Sequence, residues 1–517
     1  MDNISKSVAI IGAGPSGLVS CKSALECGLL PTVFEKNSDV GGIWSVSSGK
    51  VWDSLHTNLS VHTMMFSDFP WESEWYSKDF PPHTEVIAYL DRYARHFKLY
   101  PHIRLNSTVI SVYSDGKKWI VESITTTAAD GSKSEVKNKE SFDSIIIASG
   151  MLEYQRPLNI VDIEKFTGTI SHGRDYKNAG QFTGDSFLVI GDSYSGCEIA
   201  AELTMKSADV SVTQLMKRPS WILEKYLPSP PTKPDDPPKL LPLDFLFFSR
   251  VGIDFFATNF KTLPEAFKVR HEMLSQMCAK QQSVKHLQHE LPKQDCPSIC
   301  ISDNYTDIVK SGKIDIHPQI TGIEGKTVHF SSGESKEIDH IILACGFSYE
   351  LPFLDHSVLK DIDYDPNERV VPIILHKTVF HPTMANIGFV GWYVAALFPI
   401  IELQARWLTL VLSEQVDAPT KEQIEAGMNA ERAIRDSPIK LRIPHMEMPV
   451  IGDDLAAQFG ALPDLQKIKD EDPHLYHLIY NNFASPASYR LTGPYANAEL
   501  ATKILNDINN KYYINSK

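Results

Sequence analysis

The stretch that most constrains the fold lies near the start of the chain, where four apolar residues run directly into a glycine-rich turn. It reads Val8-Ala9-Ile10-Ile11-Gly12-Ala13-Gly14-Pro15-Ser16-Gly17. This order predicts a buried parallel strand, a tight turn and the first turn of a helix. In such a pattern Gly12 permits the turn, Gly14 lets the backbone approach a pyrophosphate, and Gly17 lets the helix pack on the strand. The helix N-terminus then faces the phosphates, so the stretch predicts a dinucleotide-binding domain.

The residues that follow this turn agree with a dinucleotide site. A predicted helix ends at Gly28, and a second short strand, Thr32-Val33-Phe34, leads into Glu35. An acid at this place can accept hydrogen bonds from both ribose hydroxyls of an adenine nucleotide. Beyond it, Gly41-Gly42-Ile43-Trp44 puts two glycines and an aromatic where backbone passes close to an extended cofactor. We therefore expect FAD here; an ordinary glycine turn with a core tryptophan is the alternative.

The same pattern occurs a second time in the middle of the chain. The apolar stretch Phe187-Leu188-Val189-Ile190 leads into Gly191-Asp192-Ser193-Tyr194-Ser195-Gly196, with serine at the middle glycine position. Ile145–Ile147 and Ile341–Leu343 are each followed by small residues and are predicted to close the two units. The repeat predicts an α/β fold of two dinucleotide-binding, Rossmann-like domains, one inserted into the other. The expected boundaries are 1–160 for the first part of the FAD domain, 161–340 for the inserted domain, and 341–517 for the return to the FAD domain and the C-terminal helices.

The second unit differs from the first where nucleotide specificity is read. Its second strand ends in Met216-Lys217-Arg218 instead of an acid. A basic pair at this place accommodates a 2′-phosphate, so we expect NADPH in preference to NADH. A solvated surface pair is the alternative.

A proline-rich and aromatic insertion is expected at about 227–295. Its proline run, Pro228 to Pro238, predicts an extended arm. The apolar stretch that follows, Leu240 to Phe248, is aromatic enough to cover an active site or touch a partner. We favour its burial as an extra subdomain.

Composition narrows the class of protein. A chain of 517 residues exceeds one ordinary core, and a net charge of −14 argues against nucleic acid or an anionic membrane as the main partner. Its seven cysteines are scattered and include no CxxC pair, unlike a disulfide reductase or a secreted disulfide framework. We expect no signal peptide, and the longest apolar run, Ile387 to Ile401, is shorter than a membrane span. We expect a cytoplasmic protein without a transmembrane segment or a metal site.

The residues between the two glycine turns carry a resemblance to a known family. Phe166-Thr167-Gly168-Thr169-Ile170-Ser171-His172-Gly173-Arg174-Asp175-Tyr176 fits the pattern FxGxxxHxxxY. The chain thereby resembles the flavin-containing monooxygenases, class B flavoprotein monooxygenases in which an aromatic Tyr or Phe stands where the Baeyer-Villiger enzymes have Trp. The resemblance extends over Gly42-Ile43-Trp44, Thr57-Asn58, Phe66-Ser67-Asp68-Phe69-Pro70, Ala344-Cys345-Gly346-Phe347 and Gln404-Ala405-Arg406-Trp407. Ser193 and Cys345 depart from the usual Gly and Thr of the family motifs.

This resemblance implies an N,N-dimethylaniline monooxygenase-like reaction. NADPH reduces FAD, O2 forms a hydroperoxide at flavin C4a, and a small soft nucleophile takes up the oxygen at nitrogen or sulfur while NADP+ stays bound. Two alternatives remain open: Baeyer-Villiger oxidation of ketones, and an NADPH oxidase that is largely uncoupled from substrate. A homodimer is the candidate assembly.

The resemblance also implies roles for individual residues. Asn58 matches the active-site asparagine of the family and is the catalytic candidate; an asparagine that satisfies loop backbone is the alternative. His172 is expected to orient the domains as part of a linker motif with Phe166, Gly168 and Tyr176. A flavin contact is expected for Gln404, and Arg406 is interpreted as either a site residue or a helix-surface ion pair. The cofactor-binding candidates are Gly12, Ala13, Gly14, Pro15, Ser16, Gly17, Glu35, Lys36, Gly42, Ile43, Trp44, Thr57, Asn58, Val109, Gly191, Ser193, Tyr194, Ser195, Gly196, Lys217, Arg218 and Gln404.

Overall fold

The computed structural model of the chain describes residues 5–129, 132–228, 240–445 and 447–514. The predicted proline arm lies outside these ranges except for Pro228. The strands, numbered in chain order, are β1 (Ser7–Ile11), β2 (Leu30–Phe34), β3 (Ile103–Arg104), β4 (Ser107–Ser114), β5 (Trp119–Ala129), β6 (Ser132–Phe142), β7 (Ser144–Ile147), β8 (Tyr154–Gln155), β9 (Thr169–His172), β10 (Ser186–Ile190), β11 (Ser211–Leu215), β12 (Trp221–Leu223), β13 (Tyr226–Pro228), β14 (Leu240–Pro242), β15 (Ile299–Ile301), β16 (Ile314–His317), β17 (Ile320–Glu324), β18 (Thr327–Phe330), β19 (Ser335–Glu337), β20 (His340–Leu343), β21 (Phe347–Ser348) and β22 (Ile387–Phe389).

The α-helices are numbered in the same way. They are α1 (Pro15–Glu26), α2 (His83–His96), α3 (Tyr194–Leu203), α4 (Leu243–Phe247), α5 (Arg250–Asn259), α6 (Leu263–Met277), α7 (Tyr305–Lys310), α8 (His356–Asp361), α9 (Phe398–Leu412), α10 (Lys421–Asp436), α11 (Met448–Ala457), α12 (Leu465–Glu471), α13 (Pro473–Tyr476) and α14 (Ala498–Asn509).

The first glycine turn follows the central strand of a five-stranded sheet. The strand order is β22-β7-β1-β2-β3, and every pairing in it is parallel. Val8 to Ile10 are fully buried, as the apolar run predicts. The chain leaves β1 for β2 on one side and returns to β7 on the other. The carboxyl end of β1 is therefore a topological switch point, the place where ligands bind in such sheets.

A second parallel sheet is built on the same plan. Its order is β16-β11-β10-β20-β9, with β10 between β11 and β20 and the second glycine turn at its end. All five of its strands lie in the chain between β7 and β22 of the first sheet. The predicted fold class, two Rossmann-like units with the second inserted into the first, is confirmed. The residue numbers of the domain boundaries stay a prediction.

Two short strands mark the passages between the units. β8 lies on the outward passage and β21 on the return, and they pair antiparallel, with Gln155 opposite Phe347. The two connections therefore run side by side and are joined by backbone hydrogen bonds.

The apolar stretch after the proline run is partly buried, with Leu240 at 65% and Phe247 at 39% exposure at its surface, and its interpretation as an extra subdomain stays a prediction. Leu241, Phe245 and Phe248 belong to the core of the first unit. The Phe245 ring stacks on Phe483 with 4.4 Å between centroids. Helices α5 and α6 follow on the outside, where Phe255 is 51% exposed. The insertion thus contacts the first unit through the residues just after its proline run.

The long apolar run near residue 400 forms strand β22, a loop and the start of α9. All fifteen residues of α9 are buried, and the helix packs against α1. Arg406 lies within α9 and is 3% exposed, donating to the carbonyls of Tyr489 and Pro494. The alternative of a helix-surface ion pair for Arg406 is therefore wrong. Among the helices of the described part of the chain, none has both the length and the apolar character needed to cross a membrane.

We expect Gly17→Ala to destabilise the first unit. A methyl group at Gly17 would overlap the backbone oxygen of Gly12, so α1 would have to move off β1, at a cost of about 1 to 3 kcal/mol. Gly252→Ala in α5 is the matched control. A Cβ there meets no described atom nearer than 3.8 Å, and alanine in a helix favours the folded state by about 0.5 to 1 kcal/mol. Thermal unfolding midpoints report both changes. A midpoint for Gly17→Ala that is no lower than that of the wild type would show that the close contact of Gly12 and Gly17 does not hold α1 on β1.

Candidate functional site

The first glycine turn is shaped by close backbone contacts. Gly12 has φ of +102°, and a Cβ on it would lie 2.7 Å from the carbonyl oxygen of Ala148. A Cβ on Gly17 would overlap Gly12 O. α1 begins at Pro15 without a side-chain cap, so its first N–H groups face the space beyond β1. Only glycine fits at Gly12 and Gly17, and the turn leaves room for a phosphate group at the helix N-terminus.

The second glycine segment lies against the first. A Cβ on Gly42 would come within 2.9 Å of the Gly14 Cα, and the Gly41 N–H donates to Ala13 O at 2.9 Å. Ile43 is 36% exposed beside this contact, and Trp44 is half-buried against the core. The two segments form a continuous backbone cradle that side chains at the glycines would fill. This cradle fits an extended dinucleotide such as FAD.

Glu35 lies at the end of β2, beside the turn. Its carboxylate is 4% exposed and accepts hydrogen bonds from the N–H groups of Ala13 and Asn37, at 2.8 and 2.9 Å. Burial raises the pKa of Glu35 while these two bonds oppose the rise. Lys36 is exposed and pairs with Glu153 at 2.5 Å. Glu35 therefore braces the glycine turn directly, and its ribose contact stays a prediction.

Thr57 and Asn58 lie in a loop that packs along the first unit. Thr57 is 2% exposed; its N–H donates to Pro81 O and its hydroxyl to Leu59 O. Asn58 is half-buried, and its side-chain amide has no hydrogen-bond partner among the described residues. An amide left free in this way is able to contact a ligand. Val109, the remaining candidate of this unit, is half-buried on β4.

The second glycine turn repeats the geometry of the first. Gly191 has φ of +150°, and a Cβ on it would overlap the Ala344 oxygen; a Cβ on Gly196 would lie 2.6 Å from Gly191 O. Ser193 caps α3 in an extended conformation and makes no side-chain cap bond. Tyr194 and Ser195 follow in the first turn of α3, half-buried and exposed respectively. The serine that replaces the middle glycine therefore leaves the helix N-terminus open.

The basic pair is exposed after β11. Neither Lys217 nor Arg218 has an ion pair or a side-chain hydrogen bond with any other residue in the described ranges. Both side chains lie at the carboxyl end of the second sheet, the same end as the second glycine turn. Their position fits binding of the 2′-phosphate of NADPH, and it fits the alternative of a solvated surface pair equally well.

The family motif belongs to the second sheet and lies within the predicted bounds of the inserted unit, 161–340; its role as a linker that orients the domains stays a prediction. Its residues Thr169–His172 form β9, the edge strand that pairs with β20. Both ring nitrogens of His172 face backbone groups, Gly346 O at 3.0 Å and Arg174 N at 3.1 Å, and burial lowers its pKa. Phe166 and Tyr176 are buried, and a Cβ on Gly168 would overlap Asp339 O. Through these contacts the motif attaches β9 to the second sheet, which is a structural role.

Gln404 is fully buried in α9, and both ends of its amide have protein partners. Its oxygen accepts from the Gly391 N–H at 2.9 Å, and its nitrogen donates to Thr378 Oγ1 at 2.7 Å. Gly391 has φ of +76°, and a Cβ on it would overlap Ser16 Oγ. Gln404 therefore holds Gly391 against the start of α1, and direct flavin contact stays a prediction. Sequence reasoning missed Gly391, although it follows a strand in the same way as Gly12.

A cleft between the units contains a titratable group that sequence reasoning also missed. Burial raises the pKa of Glu198, on α3, to about 7. The cleft is lined among others by Trp52, His56, Glu198, Glu202, Lys225 and Asp303. A carboxyl group that titrates near neutral pH in a cleft is typical of functional sites. Glu198 lies two residues after Gly196 in α3, and the sequence around it gives no sign that its side chain is buried in a cleft.

A group of possible metal ligands lies apart from both glycine turns. Ligand atoms of Asp315, His317 and Glu334 lie within 4.8 Å of one another at the end of β16. The Lys336 ammonium lies 2.8 Å from Asp315, so that carboxylate already has a cation as its partner.

Comparison with known proteins gives consistent matches over nearly the whole chain. The family model described as flavin-binding monooxygenase-like matches residues 5–512. The chain is 30% identical over 509 residues to flavin-containing monooxygenase 3 of Homo sapiens, covering 95% of this chain and 89% of that protein. It is 28% identical over 517 residues to dimethylaniline monooxygenase [N-oxide-forming] 2 of Oryctolagus cuniculus, with the same two coverages, 95% and 89%.

The fold is also that of a solved enzyme. The structure of S-allyl-L-cysteine S-oxygenase from Allium sativum superposes with a TM-score of 0.61 at 21% identity, covering 98% of this chain and 99% of that one. At this identity the likeness concerns the fold.

We expect replacement of both Lys217 and Arg218 by alanine to weaken NADPH binding far more than NADH binding. Each lost contact to a 2′-phosphate removes a charge-assisted bond of about 1.5 to 3 kcal/mol. The control is Lys310→Ala with Lys313→Ala, which removes the same charge from exposed residues before β16, at the opposite end of the sheet. Dissociation constants for both coenzymes provide the measurement. An equal loss of affinity for NADPH and NADH would contradict the assignment.

Proposed function

Because the chain belongs to the flavin-binding monooxygenase-like family, it is a flavin-dependent monooxygenase with FAD and NADPH as cofactors, and we propose that it oxygenates nitrogen or sulfur in small soft nucleophiles. The observation that carries the binding of two nucleotides is the pair of glycine turns at the carboxyl ends of β1 and β10. An acid follows the first turn and an exposed basic pair the second. The oxygen-transfer mechanism implied by the family resemblance is part of this proposal.

When bound, FAD reduced by NADPH supplies the activation of O2 at its C4a carbon, a reaction that amino-acid side chains do not provide. The residues of the chain bind and orient the two nucleotides. We assign the FAD pyrophosphate to the cradle of Gly12, Gly14 and Gly42, where backbone comes close enough that side chains would collide. The NADPH pyrophosphate is assigned to the start of α3 by the same argument.

The aromatic segment after Asn58 is suited to excluding water. Phe66, Phe69 and Trp71 are buried, and Phe66 stacks on Phe398 with 5.2 Å between ring centroids. A packed apolar wall keeps solvent from a reactive centre and strengthens the polar contacts that remain. Asn58 precedes this segment in the chain and has a free amide, which supports its role as the polar contact to the reacting part of the cofactor.

The choice of nitrogen or sulfur over ketones is supported by the final Tyr176 of the family motif and by the activities for which two similar proteins are named. One relative is named as an N-oxide-forming enzyme and the other as an S-oxygenase. The fold itself does not favour one acceptor over another, because acceptor choice depends on the contents of the site.

The experiment that tests the proposal compares acceptors with the purified holoenzyme. NADPH consumption, product and hydrogen peroxide are measured with a tertiary amine (N,N-dimethylaniline), a thioether (methyl p-tolyl sulfide) and a ketone (cyclohexanone). We expect N-oxide or sulfoxide in amounts that match NADPH consumed, and no ester from the ketone. An ester as the main product would establish Baeyer-Villiger oxidation, and peroxide equal to NADPH with every acceptor would establish an oxidase.

We expect Asn58→Ala to act after flavin reduction. Hydride transfer needs only the two stacked rings, whereas oxygen transfer needs a fixed polar contact in a water-excluding site. The rate of anaerobic flavin bleaching by NADPH should stay near that of the wild type, while hydrogen peroxide released per NADPH rises. Asn259→Ala on the exposed side of α5 is the matched control. Wild-type coupling in the Asn58 variant would reduce this residue to a loop asparagine.

A further inference from the structure

We infer that Asp244, supplied by the insertion, is a positioning residue that fixes the loop carrying Asn58. Asp244 lies in the first turn of α4 and is 1% exposed. One of its carboxylate oxygens, Oδ2, accepts hydrogen bonds from Ser60 N at 3.0 Å, Ser60 Oγ at 2.7 Å and Thr63 Oγ1 at 2.6 Å. Ser60 follows Asn58 by two residues. The inference rests on the proposed role of Asn58.

The loop is held from two sides, and the insertion provides one of them. On the side of the first unit, the N–H groups of Thr57 and Val61 donate to Pro81 O and Asp79 O, at 2.9 and 2.7 Å. On the other side, the hydroxyl groups of Ser60 and Thr63 donate to Asp244, and neither hydroxyl has another partner among the described residues. The loop is therefore held by the first unit at the backbone of Thr57 and Val61, and by the insertion at Ser60 and Thr63.

Burying the Asp244 carboxyl group costs free energy, and this cost argues that its contact with the loop serves a function. No lysine or arginine of the described ranges pairs with Asp244, and burial raises the pKa of its carboxyl group. A buried carboxylate without a cation is stabilised only by its hydrogen bonds, and a buried donor that loses its acceptor costs about 1 to 3 kcal/mol. Loss of Asp244 would thus leave both loop residues with unsatisfied groups.

Packing keeps Asp244 in place. The next residue, Phe245, stacks on Phe483 and meets the His62 ring edge-on, with 5.6 Å between centroids. Phe248 O, at the end of α4, accepts from Ala484 N at 2.9 Å. Since α4 is anchored on both sides, the carboxylate is presented to the loop from a rigid support. This gives the insertion a function in the site of the first unit.

The test compares Asp244→Ala, Asp244→Asn and the control Asp254→Asn. Asn keeps an oxygen that can accept the same three bonds, whereas Ala removes it. Asp254 lies in α5 of the same insertion and bonds only Tyr480 among the described residues, at 2.5 Å. The first readout uses flavin-free protein: hydrogen–deuterium exchange of peptides that cover residues 57–64. The second uses holoenzyme: the rate of flavin reduction by NADPH, and hydrogen peroxide released per NADPH.

We expect Asp244→Ala to speed exchange in residues 57–64 and to lower oxygenation by about tenfold or more, since misplacement of about 1 Å has effects of this size. Flavin reduction should stay near wild type. Asp244→Asn should recover most of the loss, and Asp254→Asn should change neither readout. Wild-type exchange in the Ala variant would overturn the inference, and so would faster exchange with unchanged coupling.

Two further variants cover failure of Asp244→Ala to fold. Ser60→Ala and Thr63→Val each remove one side-chain bond to Asp244, and both should raise the amount of hydrogen peroxide released per NADPH. Wild-type peroxide release in both variants would overturn the inference. If the wild-type enzyme itself oxygenates none of the acceptors, the proposed function fails, while exchange in flavin-free protein still decides whether Asp244 tethers the loop.

Discussion

The close approach of a helix to a strand, made possible by paired glycines, is the constraint on which the rest of the structure depends. In the first unit the backbone of Gly17 lies against Gly12, and in the second that of Gly196 lies against Gly191. A side chain at either helix position would collide with backbone, which cannot move aside as a flexible side chain can. The contact places the start of each helix at the carboxyl end of the central strand, where its unpaired N–H groups are available to bind a phosphate.

Further segments of the first unit are arranged around that helix start. The Gly41–Gly42 segment lies beside the turn, and Glu35, at the end of the second strand, accepts a hydrogen bond from it. Gly391 packs against Ser16. Gln404 holds Gly391 in place from the interior of α9. The cradle is therefore a set of backbone surfaces fixed by buried polar side chains, and its shape does not rely on mobile side-chain ends.

A buried charged cluster connects the aromatic wall to the last third of the chain. Arg490 is 2% exposed and donates to Ser67 Oγ at 2.8 Å and to Glu402 at 2.9 Å, and it pairs with Asp68 at 2.8 Å. Burial acts to raise the pKa of Asp68, but Arg490 and Lys22 hold it below its usual value. Taking such charges out of water is costly, and breaking the set would leave uncompensated charge inside. The cluster explains how residues far apart in the chain form one wall.

The sequence by itself determined the features that depend on local backbone geometry. Each unit has a glycine with positive φ, an apolar strand before it, and an acid or a basic pair after the next strand. These features lie within a few tens of residues of one another, so a sequence pattern can show them. It predicted the fold class and the location of both turns. Tertiary structure decided the features that depend on contacts between distant segments. It made part of the family motif the edge strand β9, gave Gln404 its partners and buried Arg406. It also brought Ser60 to Asp244, 184 residues away, to which Ser60 donates a hydrogen bond. No local pattern records such contacts, because hydrogen bonding and burial are set by the neighbours that packing brings together.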